Sequence, residues 1–409
     1  MSKKILIIGN TAKVYSLAKF LSEENEVYVA PGSPAISEFA TNVDLRENSE
    51  ILEFVMENGI DLTIPVALNS GIVELFNNNN QKIFAPSNAA SKLIYDKNLM
   101  KKVLYKLRIP TPKFGIFEKP NMVMDYIKNL KNPFVLKTNE PSSAVVLTSS
   151  KEAKTIVDSI FAQQTQKVLI EDYVWGTPFV FYTVTDGYKA LPIGSSILYK
   201  HSLEGNGGQL TSGMGACAPN YKLSIDHEYF LMDNVIYPTL DYLEIEGNPY
   251  TGILGVNGII TENGVLQILG YESFMHDADC AAVLECLDTD LYCLFEACVV
   301  GSFSDEFEFI PQKDISATSI VLTCKNKDNK ENIINGLELL DEETLVSFAP
   351  TVVKNRYLEY EAAFGANIVL TSTANTNTKS AQKVYEEASN IDFNGIYYRK
   401  DICRSVIRM

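Results

Sequence analysis

Histidine and tryptophan are scarce in this chain, with three histidines (His201, His227 and His276) and one tryptophan among 409 residues. No G-x-S-x-G accompanies those histidines, so the signature of a serine hydrolase is missing. The seven cysteines are odd in number and contain no C-x-x-C, so neither a disulfide framework nor a zinc site is expected, and a reducing cytoplasm fits best. No basic run occurs, and a net charge of -16 with a pI near 4.8 argues against a nucleic-acid partner, which would need clustered Lys and Arg to displace counterions. An anionic small substrate stays compatible, because a pocket can be locally positive on an acidic protein. The apolar stretch in MSKKILIIGN is too short for a signal peptide or a membrane span, and nothing later reaches the required length, so no membrane partner is expected. A P-loop, G-x-x-x-x-G-K-S/T, is absent, and the lone glycine in GNTAKVYSLAKF does not complete G-x-G-x-x-G.

What is present is apolar material, 46% of residues with 10% aromatic, ample for two to four packed subdomains. KKILIIG, EVYVAPG, DLTIPV and KIFAPS read as strands separated by helical patterns, which predicts βαβ units and a parallel sheet over residues 1–95. The polar NNNN at 77–80 reads as a solvated loop. A helix over Lys97 to Leu107 is broken by the two prolines of IPTPKF. Residues 114–182 then hold PFVLKT, AVVLTS, KVLIEDYV and FVFYTVTDG as strands, and 311–409 carry TSIVLTC and ANIVLTST.

Five stretches could carry chemistry. PFVLKTNEPSSAVVLTSS places Lys137 at the end of a strand beside a turn, a phosphate-binding arrangement except that the turn has no glycine to let backbone N–H groups approach. KVLIEDYVWG could present backbone groups to an adenine edge with Tyr173 or Trp175 beside it, or be a buried strand with a polar exit. EGNGGQLTSGMGACAP has five glycines in twelve residues and reads as an anion nest or a mobile surface loop. In YESFMHDADCAAVLECL, Glu272, Asp277 and Asp279 precede a helix, as oxygen donors for Mg2+ or as helix caps, with capping favoured for both aspartates. YYRKDICRSVI sets Arg399 and Lys400 against Asp401, a surface ion pair worth ~0–1 kcal/mol.

Singly these are weak signals, but their order along the chain is specific. ILIIGN, VYVAPG, KIFAPSNAA with Asp96-Lys97, FVLK, VLIEDYV-x-G, TSGMGA-x-AP, GNPYTGILGVNGII and YYRKDI together resemble the phosphoribosylamine–glycine ligase family of the ATP-grasp superfamily. The resemblance implies an α/β and α+β multidomain fold: an N-terminal parallel-sheet domain (1–95), an ATP-grasp body (96–113 and 183–310), an ATP-grasp lid (114–182) and a small C-terminal domain (311–409). It implies ATP and Mg2+ as cofactors, and ligation of glycine to 5-phosphoribosylamine through an acyl phosphate. The implied nucleotide residues are Lys97, Lys137, Glu171, Asp172, Tyr173 and Val174. The implied substrate residues are Lys13, Thr211, Gly213, Met214, Gly215 and Asp277, with Glu272 as the metal ligand.

The chain also departs from the family's pattern. TNEPSSAVV, with Glu140, stands where the family has a glycine-rich loop, and Thr177 and Pro178 stand where an acidic residue follows the hinge. Gly270 and Glu272 match a Glu and an Asn that hold Mg2+, Thr11 to Tyr15 replace a glycine-glycine-arginine-glutamate-histidine stretch, and Phe274 replaces an arginine. These losses keep open a non-catalytic relative that binds a ligand or a protein partner.

Overall fold

The computed structural model describes residues 2–67, 71–130, 133–140, 143–162, 167–327 and 332–404. The N-terminal region is βαβ: β1 (Lys4–Gly9), α1 (Ala12–Leu21), β2 (Glu26–Pro31), β3 (Thr41–Asn42), α2 (Asn48–Asn58), β4 (Leu62–Pro65) and α3 (Ile72–Asn78). The sheet runs β3-β2-β1-β4, parallel throughout. Alternation along β1 explains why both faces are covered: Ile5 and Ile7 pack with Val14 and Leu17 of α1, and Leu6 packs with Ile51, Val55 and Phe76 on the other side. KIFAPS contributes only a single parallel bridge, Ile83 to Thr63, because the chain turns away at Pro86 into α4 (Asn88–Tyr95). The NNNN run is exposed, as expected of a solvated stretch, although its first two residues finish α3. At Asp96 the helix breaks and restarts as α5 (Lys97–Lys106); the Asp96 carboxylate accepts from Asn98 and Leu99 N–H and so fixes Lys97 as the first helical residue.

A small antiparallel sheet follows, built from β5 (Phe114–Phe117), β6 (Phe134–Lys137), β7 (Val145–Leu147) and β8 (Val168–Asp172) in the order β5-β8-β6-β7. Helices α6 (Pro120–Ile127) and α7 (Ser150–Ala162) cover it, with Val123, Ile127, Phe134, Leu136, Val157 and Ile170 in a separate core. The chain then enters β9 (Thr177–Asp186), β10 (Ala190–Leu198), the hairpin β11 (His201–Leu203) and β12 (Gly207–Leu210), β13 (Gly215–Ala218), α8 (Ile225–Leu231), α9 (Tyr237–Ile245), β14 (Thr251–Ile260) and β15 (Leu266–Glu272). The remainder is α10 (Cys280–Glu285), α11 (Leu291–Val300), α12 (Phe303–Glu306), β16 (Ser316–Cys324), β17 (Leu345–Phe348), β18 (Val353–Lys354), β19 (Tyr360–Glu361), β20 (Gly365–Ala374), α13 (Asn377–Ala388) and β21 (Ile396–Tyr397).

Nine strands make one large sheet, β15-β14-β9-β10-β13-β16-β20-β17 with β21 beside β16. FVFYTVTDG, grouped by its sequence position with the 114–182 unit, lies in this sheet instead, paired with β14 from Thr177↔Ile260 to Asp186↔Thr251. Gly176 makes the exit from the small sheet: its φ is +153°, and a Cβ there would stand 2.1 Å from the Ile260 carbonyl oxygen. Of the strands after residue 311, β16, β17, β20 and β21 continue the same sheet through the β13–β16 pairing, and β18 and β19 form a two-stranded sheet of their own. No helix among the described residues is long and apolar enough to cross a membrane.

Cys217 on β13 and Cys403 meet with Cα atoms 6.4 Å apart, and a separation of 186 residues gives no sequence signal of that meeting. The other five cysteines are free, with only Cys293 exposed.

Candidate functional site

Between the small sheet and the large one lies a cavity of about 230 Å3, walled by Lys137, Val146, Glu171, Tyr173 and Val174 on one side and by Lys200, His201, Asn206, Leu210 and Asn257 on the other. PFVLKTNEPSSAVVLTSS is a hairpin of β6 and β7, as its pattern predicts, and Lys137 ends β6. Pro141 and Ser142 of its turn lie outside the described residues.

Glu171, on β8, is buried beneath that wall, with Lys101 Nζ 3.0 Å from one carboxylate oxygen and Lys137 Nζ 2.8 Å from the other. Burial works to raise the Glu171 pKa, and the two ammonium groups outweigh it and hold it low. Lys101 also donates to Thr111 Oγ1 at 2.6 Å, which in turn donates to the Ile268 carbonyl. Lys101 carried no sequence signal, because a lysine on a helix reads as a solvated residue.

Lys97 shows what the glycine-free turn does. Its three N–H bonds go to the Thr138 carbonyl at 2.7 Å, the Glu140 carbonyl at 2.9 Å and Ser143 Oγ at 3.0 Å, which uses its whole donor capacity. Burial, seconded by the charge of Lys137, pulls its pKa down to about 8. Asp172 and Val174 line the same cavity, and Tyr173 meets Trp175 edge-on with ring centroids 4.7 Å apart.

The glycine-rich stretch 204–219 is neither a nest nor a free loop. It is the return strand of the β11–β12 hairpin followed by the buried strand β13. Thr211 Oγ1 donates to the Lys200 carbonyl at 2.8 Å and accepts from Gly213 N–H at 3.1 Å, while Met214 and Gly215 are buried in the sheet. A Cβ at Gly213, whose φ is +143°, would lie 2.8 Å from the Ala278 Cβ.

The aspartates after β15 do not cap the helix that follows them. Asp279 stands at the N-cap of α10 without a side-chain cap, because its carboxylate is taken by Tyr182 OH at 2.9 Å, Ser196 Oγ at 2.7 Å and His276 N–H at 2.8 Å. Asp277 accepts at 3.0 Å from Lys13 N–H in the first turn of α1, so it caps a helix 264 residues away. Lys13 Nζ sits 5.8 Å from the centroid of the Phe274 ring. Among the substrate-side residues, then, Lys13 and Asp277 are joined directly, and Thr211 to Gly215 serve as the support beneath Lys200.

Arg399 is not at the surface. It is 1% exposed, binds both Asp401 oxygens at 2.8 Å, and donates to the His201 carbonyl at 2.9 Å and Asn206 Oδ1 at 3.2 Å. The pair is therefore Arg399–Asp401 without Lys400, and it holds the β11–β12 hairpin that walls the cavity. Residues 405–407 of the quoted segment lie outside the described residues.

The positions matched to a metal do not fit Mg2+, which takes several oxygen donors in octahedral geometry. Gly270 has no donor, and Glu272 Oε1 already meets Asn257 Nδ2 at 2.8 Å, His276 Nε2 at 3.4 Å and Lys200 Nζ at 3.6 Å. Burial opposes ionisation of Glu272, but His276, Lys200 and Lys13 hold its pKa down to about 2. Among the described residues no group of three or more His, Cys, Asp or Glu side chains could hold a metal ion. Lys200 and Asn257, like Lys101, are residues the sequence reading missed, because nothing in their local sequence set them apart.

Two family models match the chain, the N domain of phosphoribosylglycinamide synthetase over residues 3–93 and its ATP-grasp (A) domain over 95–280. The phosphoribosylamine–glycine ligase of Clostridium acetobutylicum is 30% identical over 421 residues, covering 98% of this chain and 100% of the relative. The chain belongs to the phosphoribosylamine–glycine ligase family. Its fold matches the phosphoribosylamine–glycine ligase of Thermotoga maritima with a TM-score of 0.81 at 21% identity, over 98% of this chain and 100% of that one. It also matches the biotin carboxylase domain of the Hydrogenobacter thermophilus 2-oxoglutarate carboxylase, solved with MgADP, with a TM-score of 0.72 at 13% identity over 97% and 92% of the two chains. The parallel N-terminal sheet followed by an ATP-grasp fold is thus shared with enzymes of this family and with biotin carboxylases.

Proposed function

We propose that this chain is an ATP-dependent carbon–nitrogen ligase that joins glycine to 5-phosphoribosylamine, with ATP held between the small sheet and the large one. The observation that carries this reading is the cavity itself, lined by Lys137 and Lys200 with Lys97 nearby, beside buried Glu171 and half-buried Glu272 on an otherwise acidic chain. The near full-length relationship to a named ligase supports the choice of reaction.

In this reading the lysines neutralise the transferring phosphoryl group, the glycine carboxylate takes it as an acyl phosphate, and the amine displaces phosphate. Glu171 holds Lys137 in place at 2.8 Å, and Tyr173 and Val174 meet the adenine. Lys13, tied to Asp277, faces the substrate side. The partners are small molecules, with no nucleic acid and no membrane, and the location is the cytoplasm.

A second reading is a paralogue that binds nucleotide without turning over this reaction. Phe274 in place of an arginine and Gly270 in place of a glutamate favour it. Purified protein supplied with ATP, glycine and phosphoribosylamine separates them: phosphate release that needs both substrates establishes the ligase. A thermal shift with ATP, which at 100 times Kd would correspond to about 2.7 kcal/mol, without any phosphate release, establishes the paralogue. No shift with ATP or ADP overturns both.

A further inference from the structure

We propose that Lys200 provides from within the chain the positive charge that a divalent cation would bring to bound phosphates, so that the nucleotide binds without metal. This rests on the nucleotide reading above and goes beyond it.

The misfit at the metal positions is specific. A Cβ added at Gly270 would come within 3.2 Å of Met100 Cε, with Asn257 Nδ2 in ordinary contact at 3.7 Å, so Met100 crowds the space beside residue 270. Asn257 turns a donor, not an acceptor, toward Glu272, and Lys200 and His276 approach the same carboxylate oxygen. A cation arriving at Oε1 of Glu272 would have to displace these groups.

Lys200 is held for the task. Its carbonyl accepts from Thr211 N–H at 2.7 Å and Thr211 Oγ1 at 2.8 Å, so its side chain leaves from a fixed point on the cavity wall, and it is 34% exposed there. Lys97, Lys101, Lys137 and Lys200 face Glu171 and Glu272, and Glu171 is saturated by Lys101 and Lys137. With Asp172 on the cavity wall and Glu140 beside Lys97, the four lysines stand against four carboxylates, and Lys200 is the lysine on the large-sheet wall. A dication at Glu272 would compete with Lys200 and His276 for Oε1, whereas a polyphosphate meets Lys200 directly.

Calorimetry of the full chain with ADP, in EDTA and in millimolar Mg2+, tests this. Expected is metal-free binding within about twofold of that with Mg2+. Lys200→Met should weaken metal-free binding by about tenfold or more, and Lys200→Arg should restore most of it. Glu272 keeps Asn257 and His276 in either variant, so thermal unfolding should confirm that both remain folded. ADP binding that needs Mg2+, or Lys200→Met binding metal-free ADP as well as the parent, would overturn the inference while leaving the nucleotide reading standing. No binding of ADP in either condition would overturn both.

Discussion

Lys101 and Glu171 form an ion pair at 3.0 Å in which neither side chain is more than 1% exposed. Removing one partner of such a pair leaves a buried charge and typically costs ~3–5 kcal/mol. Lys101→Met is expected near the lower end, about 3 kcal/mol, because Lys137 still reaches Glu171 at 2.8 Å. Replacing both as Lys101→Met with Glu171→Leu should cost less than Lys101→Met alone. Urea unfolding of the three proteins measures the difference.

Nucleotide affinity should fall as pH rises through the Lys97 pKa of about 8. Below that value the ammonium is charged and attracts phosphate across the turn that takes its three N–H bonds; above it the attraction is lost. Stability runs the other way. Between about 8 and the ordinary lysine value of 10.5 the unfolded chain holds more protons at this residue, so Lys97 contributes stability that increases with pH. Calorimetric ADP titrations on either side of pH 8 should show the drop, and Lys97→Met should bind weakly with a flat profile.

Installing a metal pair should change the ion requirement. Gly270→Glu combined with Glu272→Asn supplies a carboxylate at the position matched to the family's glutamate and frees Lys200 from its present partner. The double variant is expected to bind ADP more tightly as Mg2+ is added, by about tenfold or more, where the parent does not. The Met100 side chain, flexible at its end, has to shift to admit the new glutamate. Titration of Mg2+ against ADP affinity in both proteins measures this.

Arg399→Gln should loosen the β11–β12 hairpin. The guanidinium is buried against Asp401 and donates to the hairpin at His201 and Asn206, so its loss should cost about 3–5 kcal/mol. Amide exchange over residues 201–210 should speed up in the variant more than exchange in β1. Were the pair an ordinary surface one, neither stability nor exchange would move.

Much of the architecture was legible in the residues. Continuous apolar runs alternating with helical periods announced the parallel N-terminal sheet, since a strand covered on both faces has no polar side to show. Lys137 at a strand end and the IEDYV segment pointed to one cavity wall, where Lys137 meets Glu171, because strand ends are where a sheet exposes side chains. Local chemistry of this kind is written in neighbours along the chain.

Which partners those side chains meet was decided in three dimensions. Asp277 looked like the cap of the next helix and instead caps α1, and Asp279 binds Tyr182 and Ser196 because a buried carboxylate needs more hydrogen bonds than the one that the His276 N–H supplies. Lys101, Lys200 and Asn257 carry no sequence mark, and their roles come from strands and helices that bring Glu171 and Glu272 within reach. The sequence determined the order of elements through periodicity and the family through its ordered motifs. The charge balance of the cavity, and hence whether a metal has room there, is a sum over residues far apart in the chain, which only the packed structure could form.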